Sequence, residues 1–170
     1  MVCYINFNID GRDLIINEDN PDDIKIWKNN KHSKSRWNQI KVQTNSKGYK
    51  QIYIGPKKYL LHRLNYYAHN QDWNIHDSSM DNYIDHEDDK GDLPKHQYNN
   101  IENLRVVTQQ ENCFNTKAKG YYYCKRYKKW VAQIRVSGKL KHLGYFDLEE
   151  DAKNSRLAAK KIYHIIPNRK

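Results

Sequence analysis

Apolar and polar positions in this chain change period several times, and each change marks an element. Residues 37–44 (WNQIKVQT) and 49–55 (YKQIYIG) alternate as half-buried strands do. A turn at Asn45-Ser46-Lys47-Gly48 separates them, and Gly55-Pro56 closes the second. Over residues 59–69, Leu60, Leu61, Leu64 and Ala68 fall near helical spacing. Residues 70–82 are polar and irregular. Two short apolar segments follow, Tyr83-Ile84-Asp85-His86 and Leu104-Arg105-Val106-Val107, on either side of a long polar loop, and the pattern resembles a hairpin. Thr108 and Glu111 then have the spacing of a capping box, which predicts a helix from 109 with Asn112 in its first turn and Asn115 one turn on.

The last fifty residues read as a separate unit. Trp130, Ala132, Ile134 and Val136 alternate with Val131, Gln133 and Arg135, the period of a half-buried strand. GYYYC before it and KLKHLGYF after a Ser137-Gly138 turn make two more strands. Asp147 and Glu150 suggest a second capping box, followed by Leu148, Ala152, Ser155, Ala159 and Ile162 at helical spacing. The expected fold class is therefore α+β. A small sheet and a helix lead to the 83–112 segment over residues 37–116, and a three-stranded antiparallel sheet with one helix fills 118–166. Residues 1–36 read as an extra strand or a flexible acidic lead whose role the sequence leaves open.

Charge sharpens this division. The chain has 30 Lys and Arg against 20 Asp and Glu, a formal net charge of +10. Such a balance favours a polyanionic partner, because each cation placed on a phosphate releases condensed counterions. Residues 1–23 are acidic, 25–63 basic, 81–112 acidic again, and 117–170 strongly basic with 15 Lys and Arg against four acids. An acidic island within a basic protein makes sense if it holds a cation. Three scattered cysteines, Cys3, Cys113 and Cys124, are too few for a disulfide framework or a zinc ribbon and fit a reducing compartment. No apolar run nears the roughly 20 residues that span a bilayer, and the N-terminus lacks a signal-peptide pattern. These features predict a soluble, intracellular protein: cytoplasmic, or nuclear or in a viral factory if the source is eukaryotic or viral.

The acidic island also carries the candidate chemistry. Cleaving a phosphodiester needs a base that works near neutral pH, and an imidazole, with a pKa near 6.5 in water, suits that task. It also needs a hard cation at the developing negative charge. Mg²⁺ takes oxygen ligands from few protein groups plus the substrate phosphate. Asp85 and the amide oxygen of Asn112 are two such ligands, His86 alternates to the other side of the strand, and Asn103 could fix the imidazole across the hairpin. Asp-His alone is a common dipeptide; the full arrangement carries the weight.

Asp85-His86, Asn103-Leu104-Arg105-Val106-Val107-Thr108-Gln109 and Asn112 resemble the run DH, polar loop, NLRWVTQxxN of the HNH endonucleases of ββα-metal fold, close to their intron- and phage-type homing members. Lys47-Gly48-Tyr49 and Leu61-His62-Arg63-Leu64 look like the strand-turn and helix that precede the site in that family. The resemblance implies His86 as general base, Asp85 and Asn112 as ligands of one Mg²⁺ (or Mn²⁺), and Asn103 orienting His86. Two departures stand out. The loop after His86 is longer than usual, with Asp92-Leu93-Pro94-Lys95-His96 the expected insertion, and Val106 replaces an aromatic. His62 is expected to pack behind the hairpin, while His69, His76 and His96 show no ligand spacing.

The stretch Trp130–Ala152, within residues 118–164, resembles the ethylene-response-factor (APETALA-type) DNA-binding domain, which also occurs fused to HNH nucleases. In that family the sheet lies in the major groove. The resemblance implies that Gln133, Arg135, His142 and Tyr122 face bases, with Lys125, Arg126 and Lys139 near phosphates. Together these readings predict an endonuclease cutting double-stranded DNA at a preferred site, of homing or mobile-element type, acting as monomer or homodimer. The alternative is a sequence-specific DNA-binding protein without cleavage. A nuclease for RNA is disfavoured, because a major-groove reader cannot enter the deep, narrow groove of A-form RNA.

Overall fold

Strand periodicity begins near the N-terminus. Phe7, Leu14 and Ile26 lie in register across β1 (Tyr4–Ile9), β2 (Arg12–Asn17) and β3 (Ile24–Lys28), and all three are buried. With β4 (Arg36–Gln39) these strands form a four-stranded antiparallel sheet, order β1-β2-β3-β4. Asp10-Gly11 turns the first hairpin with φ of 51° and 71°, the paired positive values that a two-residue primed turn demands. Residues 1–36, for which an extra strand or a flexible lead was the expectation, thus contribute three strands and begin a fourth. The computed structural model describes residues 2–87, 98–115 and 118–166.

The chain is a mixed α+β protein of small antiparallel sheets, with three α-helices among the described residues. Two compact units divide at Val106 and Val107. In the first, the segment expected as one strand at 37–44 divides between β4 and β5 (Gln43–Thr44), which pairs in a second sheet with β6 (Lys50–Ile54) and β7 (Lys57–Leu60). Gly55-Pro56 turns the chain rather than ending the sheet, so a four-residue return strand precedes the helix α1 (Leu61–His69). One core joins these pieces: Phe7, Ile9, Leu14, Ile16, Ile24 and Ile26 from the first sheet meet Ile52, Ile54, Leu61 and Leu64. Leu61 and Leu64 are fully buried, each stabilising by about 1.5–3 kcal/mol.

Arg63 points from α1 to the irregular 70–82 stretch, donating to the carbonyls of Asn82 and Ile75, each at 2.9 Å. That stretch leads into β8 (Tyr83–His86), which forms a two-stranded sheet with β9 (Leu104–Val107). The hairpin-like pair of apolar segments is therefore a pair of strands. The expected insertion at 92–96, including His96, lies outside the described residues.

The second unit opens with α2 (Gln109–Asn112), whose cap has both halves of the predicted box. Thr108 Oγ1 accepts from the Glu111 amide at 3.1 Å, and Glu111 Oε2 accepts from the Thr108 amide at 2.8 Å. The helix is one turn long and passes into a 3-10 turn at Cys113–Asn115. The side chain of Asn115 lies outside the described residues. Three antiparallel strands follow, β10 (Tyr121–Cys124), β11 (Lys129–Val136) and β12 (Lys139–Phe146), in that spatial order, and then α3 (Glu149–Tyr163).

The start of α3 departs from expectation. Leu148, not Asp147, is the cap residue, and no side-chain cap bond forms. Asp147 instead pairs with Lys129 at 3.1 Å, while Glu149, Glu150 and Asp151 place negative charge on the first turn. The buried stripe is Ala152, Arg156 and Ala159, with Leu148 and Ile162 exposed, so the inner face is rotated from the one expected. Gly120 explains part of this. Its φ is +69°, and a Cβ there would lie 2.1 Å from Arg156 Nε and 3.1 Å from the Gln133 carbonyl oxygen. Gly120→Ala should therefore destabilise the unit by roughly 2–3 kcal/mol, from overpacking and a left-handed backbone together. Urea denaturation followed by Trp130 fluorescence, in a background with Trp27, Trp37 and Trp73 replaced by Phe, measures this.

Candidate functional site

β8 carries Asp85 and His86 as successive residues, both buried, at 6% and 5% exposure. A buried imidazole and a buried carboxylate side by side demand partners, since unpaired polar groups in the interior are costly. His86 Nε2 sits 2.9 Å from Asn99 Oδ1, and the ring stacks on Tyr98 with centroids 4.1 Å apart and planes 21° from parallel. Asn99 is held in turn by α1, whose fully buried Asn65 donates to the Asn99 carbonyl at 2.7 Å. A chain of two asparagines thus ties the imidazole to the helix behind it.

Asn103 lies in the same unit, in a single 3-10 turn (Ile101–Asn103) just before β9. Its amide donates to the Tyr98 carbonyl at 2.8 Å, and its own carbonyl accepts from the Glu87 amide at 2.9 Å. The sequence predicts Asn103 on the imidazole. Asn99 meets the His86 ring, and the Asn103 amide braces the turn that presents Tyr98 and Asn99. Nothing in residue spacing distinguishes Asn99 from Asn100 or Asn103; only the loop's path brings it to the ring.

Asp85 pairs with Arg105 across the two strands, Oδ2 accepting from Nη2 at 2.9 Å and Nε at 3.2 Å. Residue spacing alone does not announce this partner; the pairing of β8 with β9 brings it there. Asn112 belongs to the second unit, half-buried at the end of α2, its amide donating to the Thr108 carbonyl at 2.9 Å. Among the described residues no group of three or more His, Cys, Asp or Glu side chains gathers as a metal site. The expected ligands are instead one carboxylate and one amide, hard oxygen donors of the kind Mg²⁺ accepts while keeping several waters. Within the first unit, Asp85 offers carboxylate oxygens of that kind, and Arg105 already holds its Oδ2.

His62 packs behind the site as expected. It is buried, with its ring 5.1 Å from His86 and 5.6 Å from Tyr49. Burial first, then the neighbouring His86 and Arg63, push its pKa down to about 3, so it is neutral at ordinary pH. In the unfolded chain it takes a proton near pH 6.5. Between about 3 and 6.5 the unfolded state therefore binds more protons, and stability falls as pH drops below about 6.5, by up to about 1.4 kcal/mol per pH unit. Urea titrations near pH 7.5 and pH 5 should show this loss, and His62→Gln should reduce it. Of the other histidines, His69 Nδ1 meets the Asn65 carbonyl at 2.8 Å and His76 lies 3.5 Å from Asp10.

In the second unit, register decides which side chains share a face. Tyr122 is opposite Val131, Val131 opposite Tyr145, Gln133 opposite His142 and Arg135 opposite Leu140, with a bulge between Ala132 and Gln133. Ala132 and Ile134, on the other face, are buried, and Lys141 on that side reaches Tyr163 of α3 at 2.6 Å. The helix thus covers one face, while Tyr122, Arg135 and His142 are exposed on the opposite one. Gln133 joins them, half-buried. Val131 departs from the simple alternation; it is buried at 4% between its cross-strand tyrosines. Two residues the sequence did not single out extend the surface: Tyr145 rests on His142 (4.7 Å) and Tyr127 on Tyr145 (5.2 Å). Lys125 and Arg126 are exposed in the β10–β11 turn, and Lys139, opposite Val136, alternates to the helix side. Arg135 donates to the Gly138 carbonyl at 3.1 Å, which folds its guanidinium over the hairpin end.

Comparison with protein-family models, curated proteins and solved structures finds no match to this chain. All three cysteines are free thiols, and no helix among the described residues is long and apolar enough to cross a membrane.

Proposed function

We propose that this chain is a metal-dependent endonuclease of HNH type, with double-stranded DNA as substrate and the sheet of the second unit as the surface that selects the cutting site. The observation that carries the reading is the setting of His86: an imidazole beside a carboxylate, clamped by Asn99 and stacked on Tyr98, in a strand paired with the one that follows Asn103.

An amide oxygen only accepts hydrogen bonds, so Nε2 of the neutral ring carries the proton and Nδ1 holds the basic lone pair. Such an imidazole can take a proton from water at Nδ1 while Asn99 steadies the charge that develops on the ring. A Mg²⁺ or Mn²⁺ held by Asp85 and Asn112 would supply positive charge at the scissile phosphate and the leaving 3′ oxygen. Arg105, already on Asp85, is a second cation near that carboxylate and can steady the site before DNA binds. Neutral His62 adds no charge behind the base.

A second reading, a DNA-binding protein without cleavage, gains some support from the Asp85–Arg105 pair, because a carboxylate committed to a guanidinium is a poorer cation ligand. Metal dependence separates the two. Purified protein with genomic DNA and Mg²⁺ should nick or cut it, EDTA should abolish the cutting, and Asp85→Ala should lower the rate by at least ~10²-fold. DNA binding with no cleavage under any divalent cation would favour the second reading.

A further inference from the structure

The outer face of the N-terminal sheet holds a hollow that the nuclease reading leaves unused. Asn8 pairs with Asp13 and Trp27 with Trp37, on the side of the sheet opposite Phe7, Leu14 and Ile26. With Asn6 they line a concavity of about 540 Å³, ample for a planar ring system. The two indoles meet edge to face, centroids 5.3 Å apart at 65°, and Trp27 Nε1 is tied to Asn29 Oδ1 at 2.8 Å. Trp37 is 37% exposed. Asn8 donates its amide to Asp13 at 2.7 Å, which leaves acceptor oxygens at this rim.

The surroundings indicate what would enter. Residues 24–71 contain eleven Lys and Arg and no Asp or Glu. Lys28 and Arg36, one rung beyond the tryptophans, alternate to the other face of the sheet, but the connection between them carries exposed Lys31, His32 and Lys34 at the tryptophan end. Cations beside an indole platform match a single nucleic-acid strand, whose phosphates meet the cations while a base stacks on the ring. Asp13 would repel a phosphate but accepts from an exocyclic amino group, so the base, not the backbone, belongs over it. A base within a duplex has no ring face to offer.

We propose that this face binds an unstacked, amino-bearing nucleobase, cytosine above all, of a single DNA strand. The proposal goes beyond the nuclease reading and does not depend on it, because binding can be measured in EDTA with no cutting.

The test uses the full chain and labelled oligo-dC of about twelve nucleotides, beside oligo-dT, an abasic strand of equal length and a duplex. Oligo-dC should bind several-fold tighter than oligo-dT, and far tighter than the abasic strand. Trp37→Ala should weaken oligo-dC at least ~10-fold, Trp37→Phe should retain most of the affinity, and duplex binding should stay within about twofold for both. Exposed Lys31→Glu with Lys34→Glu should weaken oligo-dC and reduce its salt dependence, which keeps the proposal open to refutation if Trp37→Ala does not fold. Equal affinity of abasic strand and oligo-dC would overturn it. So would unchanged binding by Trp37→Ala, or a shift from dimer to monomer in that variant with oligo-dC affinity unaltered, which would reassign the face to self-association.

Discussion

His86→Ala should lower the rate of DNA cleavage by at least ~10²-fold and by as much as ~10⁴-fold, the range that loss of a positioned general base produces, while leaving DNA affinity nearly unchanged. The side chain is 5% exposed, so its removal opens a small space. Tyr98 and His62, both in ring contact with it, remain to line that space. Single-turnover rates at saturating enzyme separate the loss of chemistry from any loss of binding. Asn99→Ala offers a graded comparison. Removing the Oδ1 that meets Nε2 leaves the base present but free to turn or change tautomer, so a loss nearer ~10-fold is expected, with less effect from Asn99→Asp. A His86→Ala enzyme as fast as wild type would remove the imidazole from the mechanism.

The second large effect concerns affinity. Arg135, His142 and Tyr145 share the exposed face of the C-terminal sheet, on rungs that register places side by side. Replacing all three with Ala should weaken binding to a preferred duplex by on the order of 10²-fold or more, as each base-reading contact contributes roughly 1–3 kcal/mol. Binding to random duplex should fall much less, because the cations in the β10–β11 turn remain. Lys125→Ala with Arg126→Ala should show the complementary result: weaker binding to every duplex and a shallower salt dependence. Competition assays at two salt concentrations distinguish these outcomes. Equal losses on preferred and random DNA in the triple variant would mean that the face does not read sequence.

Much of the fold was legible because local pattern and tertiary packing agree where signals are strong. The two apolar quartets 83–86 and 104–107 became paired strands, and the Thr108–Glu111 box closed as its spacing demanded. Where a side chain had two possible partners, spacing could not choose. Asp147 had the position of a helix cap but was taken by Lys129. The buried stripe of α3 includes an arginine, Arg156, which no apolar periodicity would place inward. The acidic residues of the first 23 positions, mostly in turns and at strand ends, obscured the alternation of Phe7, Ile9, Leu14 and Ile16 that builds the core.

The site shows the same division. Asp85 and His86 lie together because they are neighbours in sequence, and Asn103 is near them because β9 pairs with β8. Asn99 and Arg105 needed three dimensions. Arg105 reaches Asp85 only through strand pairing, and Asn99 reaches His86 only because Asn65 and Asn103 both hold its loop.

The most direct measurement is relaxation of supercoiled plasmid DNA in Mg²⁺ by wild-type protein and His86→Ala, side by side, both shown to be folded by circular dichroism. Open-circular or linear product with wild type, absent in EDTA and reduced at least ~10²-fold in His86→Ala, is the result expected of an endonuclease centred on this imidazole. Plasmid left intact by folded wild-type protein, or converted equally by both proteins, would contradict it.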